Sequence, residues 1–258
     1  MKKFSACLAT TTLMVGLSPA TTVLIDIGRV GNSTSATGYN NITDSFDNGV
    51  IEVSGPVSDI FTPTGTITPG TTLALIDSAG DASGYSVDVY TQNIPNDEIA
   101  EAGSNADYDG AVTYPGVFAG LEETALEDGL FLRDEHGDEF LHFVFSGLSA
   151  DETYTFYSYG ARPTNGRVTN VVLTDGINGT VLDSGSYNPE GNSTDVVTFA
   201  DLSPDLNGEI TLRVNSLATN GSGTINFIQF ESAPVPEPSS LLLLSLASIG
   251  LLGRRNRG

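Results

Sequence analysis

Lysine is nearly absent from this sequence, and tryptophan is absent altogether. Ten Lys plus Arg stand against 32 Asp plus Glu, so the formal net charge is −22. Nucleic-acid binding needs a basic face that neutralises phosphates, so this balance excludes an electrostatic footprint for DNA or RNA. One cysteine, Cys7, excludes a disulfide framework.

The remaining composition is that of a globular protein. Hydrophobic residues make up 39% of the 258 residues and charged residues only 16%. This apolar fraction is enough to offset the entropy of an ordered chain. The length suits one domain of about 200 residues or two small ones.

The first 20 residues follow the plan of a secretory signal peptide. Lys2 and Lys3 precede an apolar and small-residue stretch at 4–17, and Ser18 and Ala20 place small residues before a cleavage site. We therefore predict export through the Sec machinery, with cleavage after Ala20. Because Cys7 lies in the removed segment, the mature chain contains no cysteine.

The C-terminal end combines three segments. Prolines recur in residues 232–238, residues 239–253 are apolar, and Arg254, Arg255 and Arg257 close the chain. Proline removes backbone donors and disfavours helix before it, so 232–238 is predicted to be an extended, exposed linker. A helix over 239–253 would be about 22 Å long, short of the hydrocarbon core of about 30 Å. It suits a transient anchor with the arginines on the cytoplasmic side.

Residues 235–258 resemble the PEP-CTERM sorting signal of exopolysaccharide-producing Gram-negative bacteria, with Pro236, Glu237 and Pro238 as the motif. The resemblance implies recognition and cleavage by an exosortase, which would pass the protein from the inner membrane to the cell surface or the medium. Two other signals fit less well. The LPxTG motif of a sortase substrate is missing, and a GPI signal would normally end in its hydrophobic tail.

The segment between the two ends reads as an all-β domain. Alternating or β-branched runs predict eleven strands, and turn signals such as Asp175-Gly176 stand between them. This spacing predicts an antiparallel sandwich or barrel, with a helical turn only at 121–126. The predicted strands are 23–27, 50–53, 73–77, 85–90, 140–146, 153–161, 168–174, 180–183, 194–199, 209–214 and 224–231.

One predicted strand carries aromatic residues on both faces. Alternation over 153–159 places Tyr154 and Phe156 on one side, and Tyr157 and Tyr159 on the other. This pattern favours a buried central strand over a ligand platform.

Residues 21–231 resemble a family of secreted bacterial β-sandwich domains with a galactose-binding-like jelly roll, often found with the same C-terminal signal. Tyr39 stands where that family usually carries tryptophan. The resemblance implies a jelly-roll ectodomain that binds glycans. Its short motifs lie at 23–28, 38–42, 75–80, 84–87, 145–148, 153–156, 160–162, 203–205 and 208–210.

Glycan sites combine aromatic stacking with hydrogen bonds from polar and cationic side chains, and exopolysaccharide of the producing cell is the expected partner. Arg162 is the favoured binding residue, with a buried ion pair to one of the many acids as the alternative. The candidate binding residues are Tyr39, Tyr108, Tyr114, Arg162 and Arg167, together with Tyr187.

Calcium is the one cofactor the sequence suggests, because hard cations prefer carboxylate and carbonyl oxygens. Asn105, Asp107 and Asp109 match positions 1, 3 and 5 of an EF-hand loop, but Gly116 occupies the position of the bidentate Glu. A full EF-hand is therefore disfavoured. A looser calcium loop and a solvated acidic loop both remain open.

Catalytic signatures are missing from the sequence. The two histidines, His136 and His142, lie near no GxSxG motif, and HExxH does not occur. His142 lies in an apolar strand, which favours a packed histidine over a general base. We therefore expect a non-catalytic surface or matrix protein that associates with glycans. A structural or protein-binding surface protein without glycan affinity is the alternative, and a secreted hydrolase is less favoured.

Overall fold

The computed structural model describes most of the predicted ectodomain. The described residues are 20–29, 38–45, 50–53, 57–60, 72–92, 118, 121, 124–127, 129–134, 140–162, 168–177, 179–216 and 221–235. The strands are β1 (Thr22–Arg29), β2 (Tyr39–Ser45), β3 (Val50–Val53), β4 (Val57–Ile60), β5 (Thr72–Ile76), β6 (Ala82–Gln92), β7 (Leu130–Asp134), β8 (Phe140–Ser146), β9 (Glu152–Tyr159), β10 (Thr169–Thr174), β11 (Val181–Tyr187), β12 (Val197–Leu202), β13 (Ile210–Ser216), β14 (Gly221–Ile225) and β15 (Phe227–Pro234). A single turn of helix, α1 (Thr124–Glu127), precedes β7.

The strands form two large sheets and one small one. The seven-stranded sheet has the order β12-β9-β15-β1-β2-β3-β4, and the six-stranded sheet has the order β11-β10-β13-β8-β6-β5. Strands β14 and β7 form the two-stranded sheet. The all-β prediction is therefore confirmed.

Strand direction needs one correction. Strands β1 and β2 run parallel, with Leu24 opposite Tyr39, so the seven-stranded sheet is mixed and not purely antiparallel. The alternation of side chains along a strand carries no information about the direction of its neighbour, which is why the sequence did not indicate this pair.

The main hydrophobic core lies between the two large sheets. Phe145 of the six-stranded sheet packs against Phe156 and Phe230 of the seven-stranded sheet, with ring centroids 4.8 and 5.3 Å apart. Phe156 and Phe230 are stacked at 5.0 Å, and all three rings are fully buried. Burying a side chain of this size contributes about 1.5–3 kcal/mol, so these rings anchor the contact between the sheets.

A second core covers the opposite face of the seven-stranded sheet. Tyr159, Phe118 and Phe227 pack together, with Phe118 at 5.5 Å from each of the other two rings. Tyr157 packs against the same cluster, whereas Tyr154 and Phe156 belong to the main core. Strand β9 is therefore a central strand with two packed faces, as its alternation predicted.

Most of the predicted strands are present in the structure with small shifts in their ends. Three observed strands were not predicted, and one predicted strand corresponds to two observed strands. Strands β2, β4 and β7 were not predicted. The predicted strand 224–231 is divided at Asn226, whose fully buried side chain accepts a bond from Ala161 N–H at 2.9 Å and donates to the Leu126 carbonyl at 3.2 Å. These bonds bring segments distant in sequence together, which alternation along one strand does not reveal. The predicted helical segment overlaps α1.

The predicted linker begins too early. Strand β15 continues to Pro234, Ser232 is 1% exposed, and the Val235 N–H donates to the Asp151 carbonyl at 2.9 Å. These residues stay in the sheet because their neighbours in β9 and β1 supply partners for backbone groups that precede the prolines. The signal peptide, and the anchor helix predicted for 239–258, lie outside the described residues. Among the helices the structure describes, none has the length and apolar character needed to span a membrane.

Candidate functional site

The glycan site predicted from the sequence stays a prediction, because three of its five residues lie outside the described residues. Tyr39 is half-buried against Phe227 of the second core, with ring centroids 6.3 Å apart. Arg162 is also half-buried, and its backbone is held by the 187–191 loop through an N–H bond to the Pro189 carbonyl at 2.8 Å. Tyr108, Tyr114 and Arg167 lie outside the described residues.

The structure contradicts the prediction that Tyr187 is an accessible binding residue. Its ring is 3% exposed, and its hydroxyl donates to the Thr224 carbonyl at 2.8 Å. Burial raises the pKa of this hydroxyl, which stays protonated. Tyr187 belongs to the main core because β11 turns this residue inward beside β14, so it offers no stacking surface.

The calcium hypothesis is not tested by the structure, because Asn105, Asp107 and Asp109 lie outside the described residues. Within the part of the chain that is described, no three His, Cys, Asp or Glu side chains converge in a way that could hold a metal ion.

A cluster of polar and aromatic side chains lies on the outer face of the six-stranded sheet. Tyr85, Val87 and Val89 of β6 point into the main core, so the residues between them, Asp88 and Tyr90, point to the opposite side. The same alternation turns alternate residues of β8, β13 and β10 outward. We call this surface the polar face; it comprises Asp88, Tyr90, Phe140, His142, Asn170, Thr211, Arg213 and Asn215.

Strand pairing arranges the polar face in rows. Tyr90 is opposite His142, which is opposite Arg213, so these three residues form one row across β6, β8 and β13. Asp88 and Thr211 belong to the adjacent row, with Val144 between them. Neighbouring strands lie about 4.8 Å apart, which is close enough for adjacent residues of a row to contact the same ligand.

Aromatic rings support the two cationic or basic side chains of the polar face. The Arg213 guanidinium carbon lies 4.3 Å from the centroid of the Phe140 ring, a cation–π contact. The Phe140 and His142 rings pack edge to face at 6.1 Å. Phe140 therefore holds the guanidinium plane in place against the sheet.

His142 is neutral in the folded protein. It is fully buried, and burial first, then the positive charge of Arg213, lowers the pKa of His142 from 6.5 to about 4. A buried neutral imidazole is what the apolar strand predicted. At neutral pH His142 adds no charge to the polar face.

The polar face includes buried atoms that lack a hydrogen-bond partner, among them Asp88 Oδ1, Thr211 Oγ1 and Arg213 Nε. Buried polar atoms nearly always have a partner, and leaving one unsatisfied costs about 1–3 kcal/mol. Thr211 is 1% exposed, so its hydroxyl is closed to a ligand. Asp88, Tyr90 and Arg213 are half-buried, so a ligand can contact the polar face at these three side chains.

Tyr90 adds an aromatic surface to these groups. Its side chain is half-buried, and burial, with the nearby charges of Asp88 and Glu209, raises the pKa of its hydroxyl. At the other end of the face, Asn170 Nδ2 donates to Asn215 Oδ1 at 3.0 Å. The polar face therefore combines a ring, a stacked guanidinium, a carboxylate, a hydroxyl and amides.

An acidic groove of about 390 Å³ opens elsewhere, between the β10–β11 turn and the β12–β13 loop. Leu173, Leu202 and Ile210 contribute to its apolar walls. Asp205 accepts bonds from the N–H groups of Asn207 and Glu209, so this carboxylate shapes its own loop. The carboxylates of the groove are Asp175, Asp183, Asp201, Asp205 and Glu209.

Sequence reasoning missed the polar face, although a signal was present. Asp88 and Tyr90, Phe140 and His142, and Thr211 and Arg213 each alternate with core residues on their own strands. The three patterns become one surface only when β6, β8 and β13 are known to be neighbours.

One family model matches the chain. Residues 234–257 match the PEP-CTERM protein-sorting motif, which confirms the C-terminal resemblance. The motif implies that the protein is exported and that an exosortase sorts it to the cell surface. No curated protein matches the chain.

Several solved structures of carbohydrate-binding modules align with the chain at low similarity. One described as "CBM4 structure and function" aligns at 15% identity and a TM-score of 0.27, covering 42% of this chain and 70% of that chain. A family 35 carbohydrate-binding module from Clostridium thermocellum gives 14% and 0.25, covering 40% and 92%. A family 11 module from the same organism, in complex with a β-1,3-1,4-mixed-linked tetrasaccharide, gives 12% and 0.25, covering 79% and 99%. The fold is established here by the strand pairing and not by these alignments.

Proposed function

We propose that this protein is an exported, non-catalytic surface or matrix protein whose β-sandwich binds glycans through the polar face. The observation that carries the proposal is one row of the sheet that holds two half-buried side chains, Tyr90 and Arg213. The Arg213 guanidinium lies over Phe140, and its Nε has no hydrogen-bond partner. Sugars present hydroxyls to such groups and apolar ring faces to aromatic side chains. A polar face of this composition is therefore suited to a glycan.

The route to the surface follows from the C-terminal motif. After export, the apolar helix holds the protein transiently in the inner membrane, and an exosortase cuts near 236–238. Strand β15, the last of the described strands, ends at Pro234, ahead of these residues. A cut there would leave every described strand in the released protein.

Binding fits the polar face better than hydrolysis. Glycoside hydrolysis needs two carboxylates placed across the scissile bond. The residues that define the polar face include one carboxylate, Asp88, and a buried neutral histidine, His142. This arrangement can hold a sugar but does not supply an acid and a base on opposite sides of it.

The test compares two half-buried tyrosines. Purified protein is titrated with exopolysaccharide from the producing cell, and Tyr90→Ala is compared with Tyr157→Ala on the opposite sheet. We expect Tyr90→Ala to weaken binding about tenfold, which corresponds to about 1.4 kcal/mol, and Tyr157→Ala to leave it unchanged. Circular dichroism verifies that both variants are folded. Absence of binding by the unmodified protein, to this polymer and to a glycan array, would overturn the proposal.

A protein partner is the second candidate function, and the acidic groove favours it. Leu182 is 62% exposed and Leu206 is fully exposed near the carboxylates of the groove. Apolar side chains beside carboxylates suit a cationic protein segment. Cross-linking in intact cells, with Leu182→Ser as the comparison, tests this candidate: loss of a cross-linked partner in the variant supports it.

A further inference from the structure

Arg213 is unusual in a domain this acidic. Residues 21–235 contain five arginines, no lysine and 31 acidic residues. Acidic partners are therefore abundant, and an arginine in this chain would be expected to have one. Yet Arg213 Nε is buried without a hydrogen-bond partner, and burial is the cause resolved for the lowered pKa of Arg213. Among the described residues, no carboxylate compensates its charge.

An uncompensated charge withdrawn from water is costly, and the cost falls when an anion pairs with it. Guanidinium groups match carboxylate, sulfate and phosphate groups closely, because their N–H donors form a planar fork. The contact with Phe140 holds the guanidinium carbon 4.3 Å from the ring centroid, so the position of the fork on the sheet is set before a ligand binds.

The described neighbours of Arg213 do not supply the anion. In its own row, His142 is neutral, and Tyr90 keeps its proton because the pKa of its hydroxyl is raised. Asp88 lies two strands away, about 10 Å at the usual strand spacing. Solvent-exposed charges beyond about 8 Å are largely screened at physiological ionic strength, so a ligand anion in direct contact with Arg213 outweighs the exposed acidic residues farther away.

Resting on the proposed function, we infer that the glycan bound at the polar face carries an anionic substituent, which pairs with the half-buried Arg213 guanidinium. A uronate carboxylate, a sulfate ester and a phosphate diester share the required chemistry.

The test uses matched polymers that differ in charge alone. Binding of the purified protein is measured to a polyuronate, to the same polymer after reduction of its carboxyl groups, and to the neutral backbone with and without sulfate esters. Binding is also measured to a phosphate-bearing polymer and to the same polymer after removal of its phosphate groups. We expect at least tenfold tighter binding to one anionic polymer than to its neutral counterpart.

Variants assign the difference to Arg213. Arg213→Gln is expected to remove the preference for the anionic polymer and to change binding of the neutral one less than threefold. Arg213→Lys retains the positive charge but loses the planar N–H donors of the guanidinium, so it is expected to keep part of the preference for the anionic polymer. This variant replaces Arg213→Gln in the test if Arg213→Gln does not fold. Thr198→Gln, at an exposed position of β12 in the other large sheet, is the control, with the preference intact.

The outcomes separate the two proposals. Equal binding of every anionic polymer, whether carboxylated, sulfated or phosphorylated, and its neutral counterpart overturns the inference and leaves glycan binding standing. An unchanged preference in Arg213→Gln has the same consequence. Absence of binding to every polymer overturns the proposed function as well. A preference that survives in Thr198→Gln and disappears in Arg213→Gln supports both.

Discussion

His142 links the polar face to the stability of the domain. Burial and Arg213 hold its pKa at about 4, whereas an exposed histidine has a pKa of 6.5. Between these pH values the unfolded chain binds a proton that the folded chain does not bind. Stability is therefore lost as the pH falls from about 6.5 to about 4.

We expect this loss to amount to about 3 kcal/mol, since each unit of pKa difference corresponds to about 1.4 kcal/mol. The measurement is urea unfolding of the wild-type protein and of His142→Gln at pH 7 and pH 4. The wild-type protein is expected to lose more stability than the variant on acidification. A stability difference between the two proteins that is the same at both pH values would show that His142 does not titrate in this way.

Gly38 shows how one residue without a side chain holds the start of β2. Its φ is +97°, and a Cβ added there would lie 2.6 Å from the Ser78 carbonyl oxygen. Gly84 has a similar φ of +83° but open space around it. We therefore expect Gly84→Ala to cost about 1–2 kcal/mol for the backbone conformation alone and Gly38→Ala clearly more. Chemical denaturation of the two variants gives the comparison, and equal losses would contradict the close approach at Gly38.

At the scale of elements, the hydrogen bonds at the end of β15 show that residues after Glu231 belong to the sheet. Residues 232–234 pair with β9. Val235 N–H donates to the Asp151 carbonyl, and Ser232 N–H donates to the Thr21 carbonyl, both at 2.9 Å. We compare proteins that end at Val235 and at Glu231. The shorter protein is expected to melt several degrees lower, because it loses these backbone bonds and exposes the end of a central strand. The longer one is expected to melt like the protein before C-terminal cleavage, and identical melting of the two truncated forms would place the boundary at 231.

The elements also show the reach of sequence reasoning. Tyr154 and Phe156 could be assigned to one face of β9 because alternation is a property of the strand itself. Strand β2 was missed because its residues are mainly polar. Asn40 is nevertheless buried there, because hydrogen bonds satisfy its side-chain amide. Its amide donates to the Leu24 and Ile76 carbonyls and accepts from Ile76 N–H, which ties the two large sheets together. These partners are known only once the sheets are packed.

At the scale of the whole molecule, the charge distribution governs stability and export together. Half of the ten cations lie in the two end segments that are predicted to direct export and sorting, so residues 21–235 carry a formal charge of −26. Mutual repulsion destabilises a compact state of this charge. We expect the melting temperature to rise by a few degrees between low and about 0.5 M NaCl, because salt screens the repulsion. An uncharged osmolyte is the control for general solvent effects, and an unchanged or lower melting temperature in NaCl would contradict the expectation.

Calcium binding by Asn105, Asp107 and Asp109 is tested with the same measurement. If these residues hold calcium, millimolar CaCl₂ raises the melting temperature more than NaCl of equal ionic strength, and a chelator reverses the rise. Asp107→Asn is expected to weaken the response, with Asp183→Asn on exposed β11 as the control. No difference between the two salts would remove the calcium hypothesis.

The sequence by itself determined the all-β class, the two faces of β9 and the sorting motif at the C-terminus. Each of these follows from local order along the chain: a period of two, a turn residue, or a basic cluster after an apolar run. Only the tertiary structure decided that Tyr187 is core, that Asn226 divides two strands, and that Tyr90, His142 and Arg213 form a row. These features depend on which strands become neighbours, and that pairing is decided by packing between segments far apart in sequence.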